Sequence, residues 1–440
     1  MLGTATPYEQ LGFLRRLWLR RFPHKMTIAG SVNDHALCVG ISGTGKSNLM
    51  EVMAEEDALA HGVIVIDTHH DSFDAILKWC VRCKDPSEVV IIDPTTHRYG
   101  VPKLTLLDYE HPENYVTIDS LLSAFRNMPN WKLSFGERMA DVLRNLFLAL
   151  QKSGTPFTAA TRFLTSLPYR KLIIDRAGDP ELDDYFEHLQ KMPDSRMVIE
   201  SSRNKLNQLI ANPLIRPMFD STEASLSFFD AMNDKTVLIN LSQNYFKDES
   251  RGLLGSLLFF LIYEALIARE SLKERRPVSI YCDEFQQYAI PDFFLPILTG
   301  GRKYGAGLKM YSQTLESFQS HEANVIMATV GTIIAFSVSH RDAQTLAPNM
   351  FSYFGELVKS REGRDLYGAW GKTEYYGVGD ESRNSINELC TQIRGECLIR
   401  VKGEKRIKIW AVDVAKAPRV EISDAELDAF RKESAKHYCV

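Results

Sequence analysis

The sequence predicts an α/β fold in which helices cover both faces of a mostly parallel sheet. Short apolar runs rich in valine and isoleucine recur between helical stretches, and most of them end at turn residues or charges. Nearly continuous apolar strands that alternate with helices are typical of a parallel sheet that is buried on both faces. The predicted core strands are His35–Val39, Gly62–Asp67, Val89–Asp93, Thr236–Leu241, Val278–Cys282, Leu308–Ser312 and Thr332–Val338.

A mainly helical insertion is predicted in the middle of this core. Between about Tyr109 and Asp234 no comparable apolar strand recurs. Apolar residues at helical spacing instead predict helices over Glu137–Lys152, Leu182–Gln190 and Ser201–Ala211. We therefore expect a separate helical unit that is inserted between two strands of the sheet.

The organisation of the whole chain follows from these patterns. The predicted segments are an N-terminal basic and aromatic segment at 1–31, the two parts of the core at 32–108 and 235–418, a helical insertion domain at 109–234, and a charged C-terminal tail at 419–440. Late in the core, Cys397–Val401 and Arg406–Val412 are predicted to form a hairpin around Gly403. The tail after Ala417 is predicted to be helical.

Composition and charge limit the classes of protein to which the chain can belong. It has 440 residues, of which 45% are hydrophobic and 25% charged, and its formal net charge is −4. These values are average for globular proteins, and they argue against a disordered chain, collagen-like repeats and a coiled-coil rod. Because the charge is nearly balanced, any DNA-binding surface would have to be local, such as a pore or a patch.

The sequence predicts no transmembrane segment and no secretory signal. The longest apolar run, Gly252–Tyr263, is interrupted by Glu264. It is shorter than the roughly 20 residues that a membrane-spanning helix needs, so a buried core helix is the better interpretation. Residues 11–25 carry five lysines and arginines, and no long apolar region follows them.

The cysteines are typical of a reducing compartment. There are seven, an odd number, and they lie far apart in a long chain. Cys80 and Cys83 form a lone CxxC, and without a second pair at zinc-finger spacing we expect no metal or redox role for them. We therefore expect a cytoplasmic protein, for which partner proteins would be the route to a membrane.

The first chemical motif is a glycine-rich loop between a predicted strand and a predicted helix. Residues 40–47 read Gly-Ile-Ser-Gly-Thr-Gly-Lys-Ser and match the pattern GxxxxGK[ST] of a P-loop. The glycines let backbone N–H groups approach phosphate oxygens, and the start of a helix favours an anion. Lys46 is predicted to reach the β- and γ-phosphates of ATP, and Ser47 to bind Mg²⁺. The predicted nucleotide-binding residues are Gly40, Ser42, Gly43, Thr44, Gly45, Lys46, Ser47 and Asn48.

The second motif is a pair of acids, Asp283 and Glu284, directly after the predicted strand Val278–Cys282. In P-loop ATPases the first acid at such a strand end holds Mg²⁺, directly or through water. The second acid is placed to orient or deprotonate the attacking water. Asp283 is therefore predicted as a metal ligand and Glu284 as a catalytic residue.

Further elements point to a known family. Gly300–Gly305 follows the acid pair, Gln313 ends the next predicted strand, and Val330–Phe336 leads to Asp342-Ala343. With Asn204-Lys205-Leu206 and Asn212-Pro213 in the insertion, the chain resembles the HerA/FtsK superfamily of hexameric DNA-pumping ATPases. Within it, the nearest likeness is to conjugative coupling proteins of the VirD4/TraG/TraD type and their soluble HerA-like relatives. The likeness covers roughly residues 32–350 and implies a RecA-like P-loop NTPase core.

The resemblance implies roles for two more residues. Arg302 resembles the arginine finger that reaches the nucleotide of the neighbouring subunit, where a cation would stabilise charge on the transferring phosphoryl group. Gln313 resembles the glutamine that senses the γ-phosphate. The alternatives are a surface arginine in a basic loop beside Lys303 and a simple polar cap at a strand end.

The resemblance also implies a function and partners. The chain is expected to form a ring, a hexamer, that hydrolyses ATP at subunit interfaces and moves single- or double-stranded DNA. Conjugation, secretion or nuclease proteins are the expected partners. One rival is an ATPase of the VirB4 type, which would act on protein substrates. A second rival is a nucleotide-dependent scaffold, against which Glu284 argues, because a scaffold needs no water-activating acid.

The N-terminal region departs from both groups of relatives. Coupling proteins carry N-terminal transmembrane helices and typical HerA proteins a β-barrel, whereas only about 30 residues precede the first predicted core strand here. We therefore expect a minimal motor. The basic and aromatic segment Leu11–Phe22 would lie on a membrane surface, dock a partner, swap onto the next subunit, or pack on its own domain.

Two further features allow alternatives. Asp67 ends the second core strand and is followed by His69, His70 and Asp71. These residues would either face a ligand crevice or cap the following helix.

Basic residues that could contact DNA have a simpler alternative, since most charged runs are solvated surfaces. The candidate DNA-contacting residues are Arg196, Arg203 and Lys205 in the insertion, Lys303 and Lys309 in loops, and the C-terminal Lys402, Lys405, Arg406 and Lys408.

Overall fold

A computed structural model provides the structure of the chain. The structure describes residues 3–7, 24–25, 34–128, 131, 134–351, 359–361, 374–376, 378–402, 407–414 and 419–439. The predicted segment Leu11–Phe22 and the turn residue Gly403 lie outside these described residues.

A large mixed sheet organises the fold. The strands are β1 Gly3–Pro7, β2 His24–Lys25, β3 Ala36–Val39, β4 Gly62–Asp67, β5 Val89–Ile92, β6 Thr236–Asn240, β7 Val278–Cys282, β8 Ala306–Ser312, β9 Thr332–Ala335, β10 Lys359–Arg361, β11 Glu374–Tyr376, β12 Glu396–Lys402 and β13 Ile407–Val414. Among the described residues the main sheet has 11 strands in the order β2-β1-β13-β12-β9-β3-β8-β7-β4-β6-β5. Strands β10 and β11 pair separately.

Helices cover the sheet and form the insertion. They are α1 Lys46–Ala58, α2 Asp71–Cys83, α3 Tyr115–Asn127, α4 Glu137–Lys152, α5 Ala160–Thr165, α6 Leu167–Ala177, α7 Pro180–Lys191, α8 Ser195–Ile210, α9 Phe228–Ala231, α10 Asp248–Ala268, α11 Pro291–Tyr304, α12 Ser320–Thr329, α13 His340–Met350, α14 Val378–Cys390 and α15 Asp424–Tyr438. Helices α3 to α9 lie between β5 and β6 in the chain. The others follow strands of the main sheet, except α14, which follows β11.

The predicted fold class is confirmed. From β9 to β5 every pair of neighbouring strands is parallel, and every residue of β4, β6, β7 and β8 is buried. Strands that are buried on both faces read as continuous apolar runs, which is the pattern seen in the sequence. The predicted bounds of β4 and β7 agree with the structure, whereas β8 begins two residues earlier, at Ala306.

The longest apolar run forms a core helix that extends well beyond the run itself. Helix α10 has 21 residues and extends from Asp248 to Ala268, because the polar residues before the run and Glu264 after it are compatible with a helix. By length and composition alone, the segment Asp248–Ser271 could cross a membrane, but 67% of its apolar window is buried inside the protein. The prediction of a core helix is therefore confirmed, while the expectation that the helix is too short to span a bilayer was wrong.

Two strands of the sheet had no signal in the sequence. Strand β1 pairs antiparallel with β13, and β2 pairs with β1, so that both extend the sheet beyond the predicted hairpin. Their sequences, Gly-Thr-Ala-Thr-Pro and His-Lys, lack an apolar alternation. Pro7 is tolerated near the edge of the sheet, where a missing N–H costs little. The hairpin β12–β13 itself forms as predicted and joins the parallel part through β9.

The C-terminal helix α15 packs on the opposite edge of the sheet, against β5 and α2. Arg431 Nη1 of this helix donates to Asp93 Oδ2 at 2.8 Å, and both side chains are buried. Asp93 Oδ1 in turn accepts from Asn240 Nδ2 at 3.0 Å. The predicted helical tail is thus anchored to the core by a buried ion pair.

We expect the substitution Gly62→Ala to lower the free energy of unfolding by about 1–3 kcal/mol or more, because overpacking forces backbone shifts. A Cβ at Gly62 would lie 2.2 Å from the main-chain oxygen of Met232. Urea unfolding followed by circular dichroism measures the change. The matched control is Gly379→Ala, where a Cβ would meet nothing within 4 Å. Equal stability of the Gly62 variant and the wild type would contradict the packing seen at the start of β4.

Candidate functional site

Four loops leave the sheet at the same edge. Strands β3, β8, β7 and β4 are neighbours in this order and run parallel, so the segments that follow them emerge side by side. These segments carry the glycine-rich loop, Gln313, the pair Asp283-Glu284, and Thr68–His70. In open α/β sheets the crevice outside the carboxyl ends of the strands is the usual ligand site.

The glycine-rich loop wraps the start of α1. Gly43 and Gly45 have φ of 78° and 121°, which side chains rarely adopt. A Cβ at Gly40 would lie 2.6 Å from Cβ of Phe336, so the loop also passes close to the segment after β9. Backbone hydrogen bonds fix it there, from Ile41 N–H to the carbonyl of Ser337 and from Gly395 N–H to that of Thr44. The glycines are therefore required by the conformation of the loop.

Lys46 and Ser47 are the first residues of α1 after the loop. Lys46 Nζ donates to the carbonyl oxygens of Gly40 at 2.5 Å and Ile41 at 3.2 Å, so the ammonium group lies over the loop, and the side chain is 7% exposed. Ser47 is exposed in the first turn. Free N–H groups at a helix start and a cation inside the loop make this end of α1 suited to an anion.

Asp283 lies deep at the end of β7. It is 3% exposed, and its backbone N–H donates to the carbonyl of Ile66 on the neighbouring strand. Burial raises the pKa of this carboxyl to about 7, with further contributions from the nearby charges of Asp67 and Glu284. A cation bound beside Asp283 would reduce the repulsion between these neighbouring carboxylates.

Glu284 is held by three side chains. Its φ of 44° turns the chain sharply after β7, and its side chain is almost entirely buried. Gln313 Nε2 donates to Oε1 at 2.6 Å, and Gln286 Nε2 donates to Oε2 at 2.6 Å. His69 Nε2 lies 3.7 Å from Oε1. Burial alone would raise the pKa of Glu284, but the interactions with His69, Gln313 and Gln286 outweigh it and lower the pKa below the usual value.

Asp67 acts as the cap of the following helix, which settles one of the two predicted alternatives for this acid. Its Oδ1 accepts from the backbone N–H of His69 at 2.8 Å, and its Oδ2 from that of Phe73 at 2.7 Å. His70, with a φ of 79°, stacks on the ring of Phe73. His69 instead faces Glu284. The contacts of Asp67 therefore fit the capping alternative, and a ligand-crevice role for His69 stays a prediction.

The sequence predictions missed two partners of the acid, His69 and Gln286. The sequence places His69 among several polar residues at the end of β4 and predicts no contact between it and Glu284. Gln286 follows Glu284 by two residues in the sequence Asp-Glu-Phe-Gln-Gln, so the sequence shows that the two are close. It does not show that the side chain of Gln286 is directed toward Glu284. Interaction with Glu284 is also the largest cause of the raised pKa of His69.

The residues at this edge fit a phosphate that arrives with a divalent cation. Thr68 is fully buried beside the acids, and its Oγ1 has no hydrogen-bond partner among the described residues. No group of three or more histidine, cysteine or acidic side chains within the described part of the chain could hold a metal ion by itself. Mg²⁺ is usually held by one or two protein oxygens together with substrate phosphates, which Ser47 and Asp283 could provide.

Several predicted residues lie elsewhere or outside the description. Arg302 is in helix α11 and not in a loop, and its side chain is not among those described. Lys303, also in α11, is exposed and lies 3.8 Å from Glu270. Cys80 is buried, and its burial raises the pKa of the thiol, whereas Cys83 is exposed. Both cysteines are free thiols.

The structure corrects two of the candidate DNA contacts. Lys309 lies in strand β8 and not in a loop, and Nζ of its buried side chain donates to the carbonyl of Asp34. Lys205 is buried too. Its Nζ donates to Ser134 Oγ at 2.7 Å and lies over the ring of Trp131. Arg196 and Lys402 are exposed. The side chains of Lys405, Arg406 and Lys408 lie outside the described residues.

Known structures share this fold. The bacterial conjugative coupling protein TrwBdeltaN70, in its trigonal form with sulphate, matches with a TM-score of 0.64 at 17% identity over 97% of each chain. The plasmid coupling protein TrwB in complex with ADP and Mg²⁺ matches with 0.64 at 16% identity over 97% of this chain and 96% of that one. VirB4 of Thermoanaerobacter pseudethanolicus matches with 0.54 at 15% identity over 87% and 90%.

These matches concern the fold alone. No protein-family model matches the chain, and no curated protein does either. The predicted likeness to conjugative coupling proteins is confirmed at the level of the fold, which the chain shares with TrwBdeltaN70. The likeness to HerA proteins stays a prediction.

Proposed function

We propose that the chain is an ATP-driven, ring-forming DNA translocase that hydrolyses ATP with Mg²⁺ at the four-loop edge of its sheet. The observation that carries the proposal is the convergence of the P-loop, Asp283-Glu284 and Gln313 on neighbouring strands β3, β7 and β8. The P-loop is separated from the other residues by more than two hundred positions, and Gln313 follows Glu284 by 29. Together they provide one phosphate-binding loop, one metal-binding acid and one buried carboxylate. This set supports hydrolysis of a nucleoside triphosphate.

Each residue has a role in this proposal. The N–H groups of the glycine-rich loop after Ile41 and of the first turn of α1 bind the phosphates, and Lys46 exchanges the carbonyls of Gly40 and Ile41 for phosphate oxygens. Ser47 and Asp283 hold Mg²⁺, which supplies charge neutralisation of the phosphates. Glu284, with its lowered pKa, is ionised near neutral pH and accepts a proton from the attacking water. Gln313, which donates to Glu284 in this structure, turns its amide toward the γ-phosphate when ATP is bound.

The assembly and the substrate form the second half of the proposal. Arg302 would complete the site of the neighbouring subunit in a ring, a hexamer, in which DNA passes through the centre. The support is the fold that the chain shares with the coupling protein TrwB. The segmentation into a core at 32–108 and 235–418 with an insertion at 109–234, and the cytoplasmic location, also stay predictions.

A second candidate is a secretion or assembly ATPase that acts on protein. It is favoured by the match to VirB4, which covers 87% of the chain. Both candidates use the same ATPase site, so the site does not discriminate between them. DNA dependence of the turnover does.

The experiment measures ATP turnover of the purified chain with no nucleic acid, with single-stranded DNA and with double-stranded DNA, and determines its mass with each. We expect DNA to raise the turnover severalfold and to favour a mass that is a multiple of the 50.0 kDa chain. Lys46→Ala provides the blank. Turnover that depends on Lys46 but ignores every DNA would overturn the DNA proposal and favour the protein-substrate candidate.

A further inference from the structure

A histidine that the ATPase motifs do not explain contacts the proposed water-activating acid. His69 follows β4, and Glu284 follows β7, the strand next to it in the sheet. Nε2 of His69 lies 3.7 Å from Oε1 of Glu284, within the distance of an ion pair. The two residues are far apart in the chain, so the contact depends on the order of the strands.

Backbone strain is concentrated at this contact. Among the non-glycine residues that the structure describes, only His70 and Glu284 have positive φ. Such conformations are energetically costly and persist where the surrounding structure holds them, often at functional sites. One of the two residues is the acid itself, and the other directly follows His69.

The main chain of His69 is fixed, whereas its side chain remains accessible. Its backbone N–H donates to Asp67, a carboxylate that is 1% exposed, so the loop cannot shift without breaking a buried hydrogen bond. The imidazole is 35% exposed, while the side chain of Glu284 is only 4% exposed. His69 therefore lies between the buried acid and solvent.

His69 and Gln313 approach the same oxygen of Glu284. Gln313 Nε2 donates to Oε1, and Gln286 Nε2 donates to Oε2. When the amide of Gln313 turns toward the γ-phosphate, as the proposed function requires, Oε1 loses that donor. His69 Nε2, which lies 3.7 Å from Oε1, is then placed to replace it.

We propose that His69 is a positioning residue for Glu284, which keeps the carboxylate directed toward the attacking water while Gln313 engages the phosphate. This inference rests on the proposed ATPase function. It predicts that loss of the imidazole slows the chemical step without weakening the binding of nucleotide, because His69 touches the acid and not the glycine-rich loop.

The test compares kcat and KM for ATP in the wild type, His69→Ala and His69→Gln, together with binding of a fluorescent ATP analogue and the melting temperature. We expect His69→Ala to lower kcat about 10- to 100-fold, the effect of one interaction with a charged group. KM, analogue binding and melting temperature should stay near those of the wild type. His69→Gln should recover much of the rate, since its amide also donates. The matched control is His111→Ala, a histidine whose side chain is 76% exposed.

The outcomes separate this inference from the function on which it rests. An unchanged kcat in His69→Ala, equal losses of kcat and analogue binding, or a glutamine variant as slow as the alanine variant would each overturn the positioning role. In all three cases, Lys46-dependent turnover by the wild type would leave the proposed function standing. If the wild type hydrolyses no ATP, or Lys46→Ala hydrolyses it equally well, the proposed function fails and this inference fails with it.

Discussion

Glu284→Gln is expected to reduce ATP turnover by about 100- to 10,000-fold, the usual contribution of a positioned general base. The amide keeps the size of the side chain but cannot accept a proton. Since Glu284 makes no contact with the glycine-rich loop among the hydrogen bonds of the described residues, the binding of nucleotide should survive. Single-turnover hydrolysis and binding of a fluorescent ATP analogue measure the two effects separately.

A matched variant controls for the replacement of a buried carboxyl group by an amide. Glu55→Gln replaces another largely buried glutamate of the core, whose carboxyl has a pKa raised to about 7, chiefly by burial. It should leave turnover close to that of the wild type. Comparable rates for the Glu284 variant and the wild type would remove Glu284 from the reaction and point to another base.

Arg431→Ala is expected to lower the free energy of unfolding by about 3–5 kcal/mol at neutral pH, because it leaves a buried charge without its partner. Arg431 and Asp93 have side chains that are 9% and 2% exposed. Burial raises the pKa of Asp93, but hydrogen bonds from Thr95 and Arg431 outweigh it, so the pKa of the folded state is lowered. Urea unfolding as a function of pH measures both the loss and its pH dependence.

The sign of the pH dependence follows from the lowered pKa of Asp93. Its contribution to stability is complete above the pKa of an unfolded aspartate, about 3.9, and is lost as the pH falls through the lower folded value. The difference between wild type and Arg431→Ala should therefore be largest near neutral pH and shrink below about pH 4. Arg144→Ala, which breaks an exposed pair with Asp119, should cost only about 0–1 kcal/mol. A constant difference across this range would contradict the linkage to Asp93.

The sequence predicted correctly those parts of the molecule whose structure is determined by residues that are neighbours in the chain. Strands β4 and β7 were predicted with their observed bounds because they are buried on both faces and read as unbroken apolar runs. The P-loop and the acid pair each consist of adjacent residues whose chemistry is visible without the fold. Gln313 was placed correctly at the end of β8 for the same reason.

The parts that were missed depend on contacts between distant segments. The approach of His69 to Glu284 requires β4 and β7 to be neighbours, and no pattern in either strand specifies its neighbour. Lys309 belongs to the predicted strand Leu308–Ser312 but is also among the candidate DNA contacts in loops. In the structure it is buried in β8, and its Nζ donates to the carbonyl of Asp34. The docking of α15 on β5 likewise depends on Arg431 meeting Asp93, 338 residues earlier in the chain.

The most direct test of the central claim is steady-state ATP hydrolysis by the purified chain, with and without Mg²⁺, for the wild type and Lys46→Ala. The account predicts Mg²⁺-dependent hydrolysis by the wild type and a loss of nearly all of it in the variant. The ammonium group of Lys46 lies over the glycine-rich loop in the structure, and alanine cannot replace it there. No hydrolysis by the wild type, or equal rates in the two proteins, would contradict the account.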